Sequence, residues 1–386
     1  MSVETITLGC RLNYAESETI ARSAPANEDW IVVNSCAVTN EAVRQTRQAI
    51  RRAHRWRPNA QILVTGCAAE LDATSFAAMP GVSRVVGNAA KLNGLAANDV
   101  MAPAGLLANV KSFVAVQTGC DHRCTFCSIW QARGPSISLP FEAIRHAVAR
   151  EIDRGAKEIV LTGVDITDYA GGLGNLCQRL LAAEPRLRRL RLSSLDSIEI
   201  DNALFELIAG EARLMPHFHL SLQAGDDMIL KRMKRRHSRA EAVRTVERIK
   251  AARPDSTIGA DLIAGFPTET EEMALNSLKL LNDCDIVAAH IFPFSPRPNT
   301  SAARMPQLAP ELVKARAARL RKAAADRRTI WLESLVGSVQ PILVEGPGKG
   351  HTDNFAPVAI EEAERGETGH ARITGFDVKQ LTAVWA

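Results

Sequence analysis

Three cysteines within eight residues most constrain what this 386-residue chain can fold into: Cys120, Cys124 and Cys127, in G-C-D-H-R-C-T-F-C-S-I-W. They follow a β-rich run, Phe113–Gln117, so the thiols belong to a loop at the carboxyl end of a strand. The spacing C-x3-C-x2-C supplies three thiolates to a four-iron cluster and leaves the fourth iron open. A closed electron carrier takes four cysteines, and a structural zinc site takes four nitrogen or sulfur ligands. An iron with a free position binds and activates a small molecule instead.

A second set of thiols emerges from the first hundred residues. Thr5–Leu8, Trp30–Val33 and Gln61–Thr65 are nearly continuous apolar runs, as strands buried on both faces require. Helical patterns follow at Asn13–Arg22 and Thr39–Arg55, the latter with Thr39 or Asn40 as N-cap. This alternation implies a doubly wound parallel sheet. Cys10, Cys36 and Cys67 each come directly after one of the three strands, behind Gly9, Ser35 and Gly66. In a parallel sheet all carboxyl ends share one edge, so three cysteines far apart in sequence converge on a second three-thiolate site.

A linker, Leu95–Asn109, separates this unit from a second series of strands at Phe113–Gln117, Glu158–Thr162, Arg189–Leu192, His217–Leu222, Thr257–Ile263 and Ile286–Ile291. Helices at Phe141–Arg154, Leu173–Ala183, Asn202–Ala209, Arg239–Ala252 and Thr270–Asn282 alternate with them. Six β/α units make an incomplete (β/α)6 barrel, whose active-site loops follow the strands. A long basic helix, Pro310–Leu332, leads to a tail with short strands at Ser338–Glu345, Ala356–Ile360, Gly369–Phe376 and Gln380–Trp385. That pattern suits a small antiparallel β-barrel. The expected fold class is therefore α/β with three domains: 1–108, 109–333 and 334–386.

Composition narrows the setting. Hydrophobic residues make up 46% and charged residues 23%, ordinary values for a globular protein. No run of eighteen apolar residues marks a membrane span, and the start lacks the basic and apolar regions of a signal peptide. Eight cysteines in such a chain read as metal or redox ligands, not disulfides, and place it in the reducing cytoplasm. Net charge is only +4, but basic residues bunch at Arg44–Arg57, Lys231–Arg236 and Lys314–Arg328. Three such bunches favour a polyanionic substrate over plain solvated helix faces. Cys177 and Cys284 fall in apolar helical patterns and read as packing residues.

The loop with Phe126 before its last cysteine resembles the radical S-adenosylmethionine (SAM) enzymes. With T-L-G-C-R-L-N (Thr7–Asn13), V-N-S-C-A-V-T (Val33–Thr39), V-T-G-C-A-A (Val64–Ala69) and the strand-rich tail, the whole chain resembles the methylthiotransferases. The resemblance implies an N-terminal cluster domain, a radical SAM barrel and a C-terminal RNA-binding barrel called TRAM. It implies two [4Fe-4S] clusters: an auxiliary one on Cys10, Cys36 and Cys67, and the radical-generating one on Cys120, Cys124 and Cys127. One SAM methylates a sulfur carried by the first; a second is cleaved at the other, and the radical activates an inert C–H bond for sulfur insertion. An external electron donor and a sulfur source are implied too, and a monomer is expected.

The same resemblance gives SAM-binding candidates on successive strand ends: Gly163 and Asp165, Ser194, Ser221, Gln223 and Arg235. Arg235 either pairs with the cofactor carboxylate or joins a phosphate-facing patch. His122 lies in the cluster loop without being needed as a ligand. G-C-R-L-N and G-H-T-D-N-F-A-P-V (Gly350–Val358) look most like the branch acting on N6-threonylcarbamoyladenosine beside the tRNA anticodon. Related branches act on isopentenyladenosine in tRNA or on an aspartate of a ribosomal protein. For an anticodon stem-loop, candidate RNA contacts are Arg44, Arg47, Arg51, Lys231, Arg236, His351 and Phe355, the last two alternatively being barrel core. Ser23–Asp29, the linker and the tail are compact for the family. Two other classes stand beside this one: a non-catalytic iron–sulfur RNA-binding or electron-transfer protein, and a radical enzyme whose N-terminal cluster only relays electrons.

Overall fold

A computed structural model describes residues 3–23, 29–90 and 110–386. The expected linker Leu95–Asn109 and most of Ser23–Asp29 lie outside the described residues. Strands β1 (Glu4–Thr7), β2 (Trp30–Ser35), β3 (Gln61–Gly66) and β4 (Val82–Val86) form a parallel sheet in the order β1-β2-β3-β4. The order never reverses, so the loops after β1, β2 and β3 are immediate neighbours on the ligand-binding edge. The sheet's fourth strand escaped the apolar pattern because it is an edge strand with Ser83 and Arg84 exposed.

Helices α1 (Arg11–Ser23), α2 (Asn40–Trp56), α3 (Cys67–Leu71) and α4 (Ala73–Ala77) connect these strands. Thr39 is the N-cap of α2, its hydroxyl accepting from Ala42 N. The helix buries Thr46, Ala49, Ile50 and Ala53 against a core that includes Ile31, Val33, Ile62, Val64 and Phe76. Each fully buried Ile contributes roughly 1.5–3 kcal/mol. The opposite face carries arginines and ends in Trp56, 67% exposed.

The central unit starts at β5 (Lys111–Ala115). A two-stranded antiparallel ladder, β6 (Gln117–Thr118) with β7 (Ile137–Ser138), then brackets the cysteine loop and a short helix, α5 (Ile129–Arg133). The barrel continues through α6 (Phe141–Asp153), β8 (Glu158–Thr162), α7 (Leu173–Ala183), β9 (Leu190–Leu192) and α8 (Asn202–Gly210). It closes with β10 (His217–Gln223), α9 (Asp227–Met233), α10 (Arg239–Ala252), β11 (Thr257–Ala264), α11 (Glu271–Asp283) and β12 (Ile286–Pro293). Sheets β5-β8-β9 and β10-β11-β12 are parallel and joined by bridges at Leu190–Leu214 and Leu195–Leu220. Cys177 and Cys284 are fully buried in its core.

Helix α12 (Pro310–Ser334) packs on the barrel beside β12 and α11 and leads to the tail. Its basic bunch is largely spent internally. Arg316 is buried on Glu269 at 3.0 Å, Arg319 meets Glu271 at 2.5 Å, and Arg327 pairs with Asp285. The tail strands β13 (Val339–Gly346), β14 (Lys349–Thr352), β15 (Pro357–Ile360), β16 (Thr368–Phe376) and β17 (Leu381–Trp385) close a barrel in the order β13-β14-β15-β17-β16. All its ladders are antiparallel except β15 with β17, which is parallel.

The turn 353–355 plugs the amino end of the central barrel. Phe355 stacks on His217 and His351, Asp353 pairs with Arg189, and Asn354 O accepts from Thr257 Oγ1 at 2.7 Å. Of the two readings left open for His351 and Phe355, RNA contact or barrel core, the structure is nearer the second: they fill the seam between two barrels. Among the described residues no helix is long and apolar enough to cross a membrane.

Candidate functional site

The sequence around each N-terminal cysteine serves to bring three loops together. Gly9 and Gly66 adopt φ of 94° and 92°, a region costly for residues with a Cβ. A Cβ on Gly9 would come 2.5 Å from Cys36 Sγ, and one on Gly66 would come 2.3 Å from Ser35 O. Asn13 donates to Leu8 O at 2.7 Å and Ser35 O at 3.0 Å, stitching the first loop to the second. Ser35 Oγ donates to Thr65 O at 2.5 Å and accepts from Ala69 N at 3.0 Å, stitching the second to the third.

Burial raises the pKa of two of the thiols so gathered, Cys10 and Cys36. Burial pushes Cys36 up to about 12, and the neighbouring Cys10 and Cys67 add to the shift. Cys10 reaches solvent at the rim yet is surrounded by protein on most sides, and its pKa is raised as well. Cys36 Sγ accepts from Val38 N at 3.5 Å, and Cys67 Sγ accepts from Arg133 Nε at 3.2 Å. Three soft sulfur donors beside a guanidinium suit a sulfur-rich anionic metal group, whose metal deprotonates the thiols on binding.

The second set lies across from the first. Its loop is pinned to the end of α9, where Thr125 N and Oγ1 donate to Met233 O and Arg232 O at 3.1 and 2.8 Å. Cys127 Sγ accepts from Ile129 N at 3.3 Å. Arg235 Nη2 reaches Asp196 at 2.9 Å and Ser221 O at 2.8 Å, and its Nη1 lies 3.8 Å from Cys124 Sγ. His122 Nε2 sits 2.7 Å from Asp165; hydrogen bonds to Asp165 and Glu199 push the imidazole up to about 10. Burial raises Cys120 to about 12 and Cys127 to about 11, the latter helped by Cys124 and by Cys67 of the other set. Three thiols with a guanidinium and an imidazolium beside them fit an anionic iron–sulfur group here too.

Beside Cys127 is a cavity of about 160 Å³. Val38 and Thr39, just beyond Cys36, form one wall, and Phe126 to Ile129, including Cys127, form another. Gln223, Asp261, Ile263 and the segment 292–295 complete it. The loop after β12 is tied to the first unit at this point: Asn40 N donates to Ser295 Oγ and Asn40 Nδ2 to Pro296 O, both at 3.3 Å. Asp261 Oδ1 meets His219 at 2.9 Å and His290 at 3.1 Å. Although burial alone would raise its pKa, these two partners hold the carboxyl well below the usual range.

The expected SAM-binding residues fall in different places. Gln223 lines the cavity, with a left-handed φ of 67°. Asp165 and Arg235 flank the cysteine loop. Gly163 is required by packing, because a Cβ there would meet Gln117 O at 2.8 Å. Ser194 is exposed, and Ser221 contributes its carbonyl to Arg235.

Of the basic candidates, Arg44 pairs with Glu41, Arg47 with Asp72 and Arg236 with Glu199, while Arg51 and Lys231 are exposed. Arg133, Glu16 and the His219–Asp261–His290 group were not singled out from sequence. Polar residues inside otherwise apolar strands, and an arginine six positions after Cys127, were the available signals.

Comparisons with known proteins agree with this geometry. Residues 114–281 match the radical SAM superfamily, and residues 2–87 match an uncharacterised family, UPF0004. The chain is 41% identical to threonylcarbamoyladenosine tRNA methylthiotransferase MtaB of Rickettsia prowazekii, covering 99% of this chain and 97% of that protein. The chain belongs to the tRNA methylthiotransferase family. A second methylthiotransferase of the MtaB type, from Thermotoga maritima, is 32% identical over 89% of this chain and 86% of its own length. The tRNA-2-methylthio-N(6)-dimethylallyladenosine synthase of Erythrobacter litoralis is also 32% identical, over 89% and 86%. Among solved structures, the radical SAM methyltransferase TsrM of Kitasatospora setae has a similar fold, with a TM-score of 0.55 at 14% identity, covering 76% of this chain and 68% of that one. As a radical SAM methylthiotransferase, the chain uses SAM and a [4Fe-4S] cluster.

Proposed function

We propose that this methylthiotransferase acts in the cytoplasm on N6-threonylcarbamoyladenosine beside the tRNA anticodon, adding a methylthio group at C2 of the adenine. The observation that carries the substrate is the 41% identity to one MtaB enzyme along nearly the whole chain, against 32–34% for dimethylallyladenosine synthases. Cys120, Cys124 and Cys127 would hold the radical-generating cluster, and Cys10, Cys36 and Cys67 an auxiliary one. When bound, these groups supply reductive cleavage of SAM to a hydrogen-abstracting radical, and the sulfur to be transferred.

The chain's own residues do the rest. Phe126, Ile263, Phe292 and Phe294 give the chamber apolar walls that exclude water from a radical. Asp261, kept ionised by His219 and His290, offers a carboxylate acceptor for N–H groups of a modified base. Gln223 adds an amide on the cofactor side. Arg235, locked on Asp196, holds the cysteine loop at Cys124. On the outer face of α2, Arg51, Arg52, Arg55 and Trp56 are exposed and suited to phosphates and an unstacked base. An external electron donor and sulfur source are part of this reading, as is a monomeric enzyme.

Nucleoside mass spectrometry of tRNA from cells with and without the gene tests it. Loss of the methylthio form of threonylcarbamoyladenosine in the deletion strain is expected. Its persistence, with loss of methylthio-dimethylallyladenosine instead, would assign the other substrate.

A further inference from the structure

We infer that Arg133 is a positioning residue that couples the two thiol sets and raises the reduction potential of the cluster on Cys10, Cys36 and Cys67. The inference rests on the two-cluster reading above. Arg133 ends α5, the single-turn helix that follows the radical-cluster loop. At the start of that helix Ile129 N donates to Cys127 Sγ at 3.3 Å; at its end Arg133 Nε donates to Cys67 Sγ at 3.2 Å. One rigid turn therefore reaches a sulfur of each set.

The helix itself is embedded in the first unit. Ala132 packs in the N-terminal core, and its carbonyl accepts from Asn88 Nδ2 at 2.6 Å.

The guanidinium is only 2% exposed, and all five of its N–H groups have acceptors. Besides Cys67, it forms a fork on Glu16, Nη1 to Oε1 at 2.7 Å and Nη2 to Oε2 at 3.0 Å. Nη2 also donates to Asn13 Oδ1 at 2.7 Å, and Nη1 to Thr118 Oγ1 at 3.4 Å. Other buried arginines near the site, Arg235 and Arg297, each leave Nε without a partner. Arg133 is thus the guanidinium whose every donor is specified, with Asn13 and Glu16 coming from the helix that follows Cys10.

This arrangement has an electrostatic consequence. A thiolate that ligates iron gains negative charge when its cluster is reduced, and an N–H donor on that sulfur stabilises the reduced form more than the oxidised one. In a water-poor site the positive charge adds to the effect. Glu16 works in the opposite sense, partly neutralising the guanidinium while holding it in place. A purely structural cross-link would fix the seam equally well but would leave the potential unchanged.

The test uses the full chain with Cys120, Cys124 and Cys127 replaced by Ala, so that only the auxiliary site can hold iron. After anaerobic reconstitution this parent is expected to bind about four irons. Two further variants are made in it: Arg133→Met with Glu16→Gln, which leaves no unpaired buried charge, and Glu16→Gln alone. Redox titration followed by electron paramagnetic resonance is expected to give a more negative potential for the pair and a more positive one for Glu16→Gln. Potentials equal to the parent's would overturn the inference and leave Arg133 a structural cross-link. Should the pair fail to hold iron, Glu16→Gln alone decides, because an unshifted potential there overturns the inference just as well. A parent that binds no iron would instead sink the two-cluster reading on which the inference rests.

Discussion

Phe355 of the tail stacks on His217 of the central barrel, with ring centroids 4.9 Å apart and planes 26° from parallel. Lys111 and Arg191 lie over the same ring at 5.1 and 4.7 Å, giving cation–π contacts in a partly desolvated seam. The ring closes the amino end of the barrel, opposite the cysteine loop. Phe355→Ala should therefore lower the unfolding free energy by about 1–3 kcal/mol, less than the about 3–5 of a fully buried Phe. Denaturant unfolding measures this. An unchanged midpoint, together with weakened RNA binding, would return Phe355 to the role of a base-stacking residue.

Glu345 makes the same seam sensitive to acid. Burial would raise its pKa, but the hydrogen bond from His351 and the charge of Lys111 hold it near about 2, below its ordinary 4.5. A carboxylate depressed in the folded state stabilises above its unfolded pKa, and that stabilisation is lost as pH falls through the window from 4.5 towards 2. Thermal melts of the iron-free chain between pH 6 and pH 2 should show a steeper decline for the wild type than for Glu345→Gln, in windows set by the pKa values of about 4.5 and 2. Parallel curves would show that Glu345 contributes no such linkage.

Gly9 has no room for a methyl group. Its φ of 94° disfavours a side chain, and a Cβ would press on Cys36 Sγ at 2.5 Å. Gly9→Ala is expected to cut reconstituted iron by about half, one four-iron cluster of two, while sparing the site on the barrel. Full iron loading in this variant would mean that the Cys10 loop adapts freely.

The outer face of α2 is proposed above as an RNA contact. Arg51, Arg52 and Arg55 are exposed there, and Trp56 extends into solvent. Trp56→Ala should weaken binding of a tRNA anticodon stem-loop by about 1–3 kcal/mol if a base stacks on it. Arg52→Ala should reduce the salt slope by about 1. Fluorescence anisotropy across a salt series reads both, and an unchanged slope and affinity would remove α2 from the interface.

Much of this architecture was legible in the sequence wherever one pattern decided the local structure. Buried parallel strands such as Glu158–Thr162 announce themselves by unbroken apolar runs, and helices Leu173–Ala183 and Arg239–Ala252 fall where their periodicity puts them. Edge and ladder strands with polar residues, Val82–Val86 and Lys349–Thr352, carry no such signal. The convergence of Cys10, Cys36 and Cys67 followed from topology, because all ends of a parallel sheet share one edge. The fork of Arg133 on Glu16 was hidden, since its partners lie 117 positions apart and meet only when two units pack. For His351 and Phe355 the sequence left RNA contact and core packing both open, because an aromatic ring in a tail loop says nothing about which side it faces.

The central claim is that the chain carries two three-thiol sites, each holding a four-iron cluster. Iron analysis of the anaerobically reconstituted chain and two variants tests it most directly. The wild type should carry about eight irons, and Cys36→Ala and Cys124→Ala about four each, with different clusters retained. About four irons in the wild type, unaltered by Cys36→Ala, would contradict it.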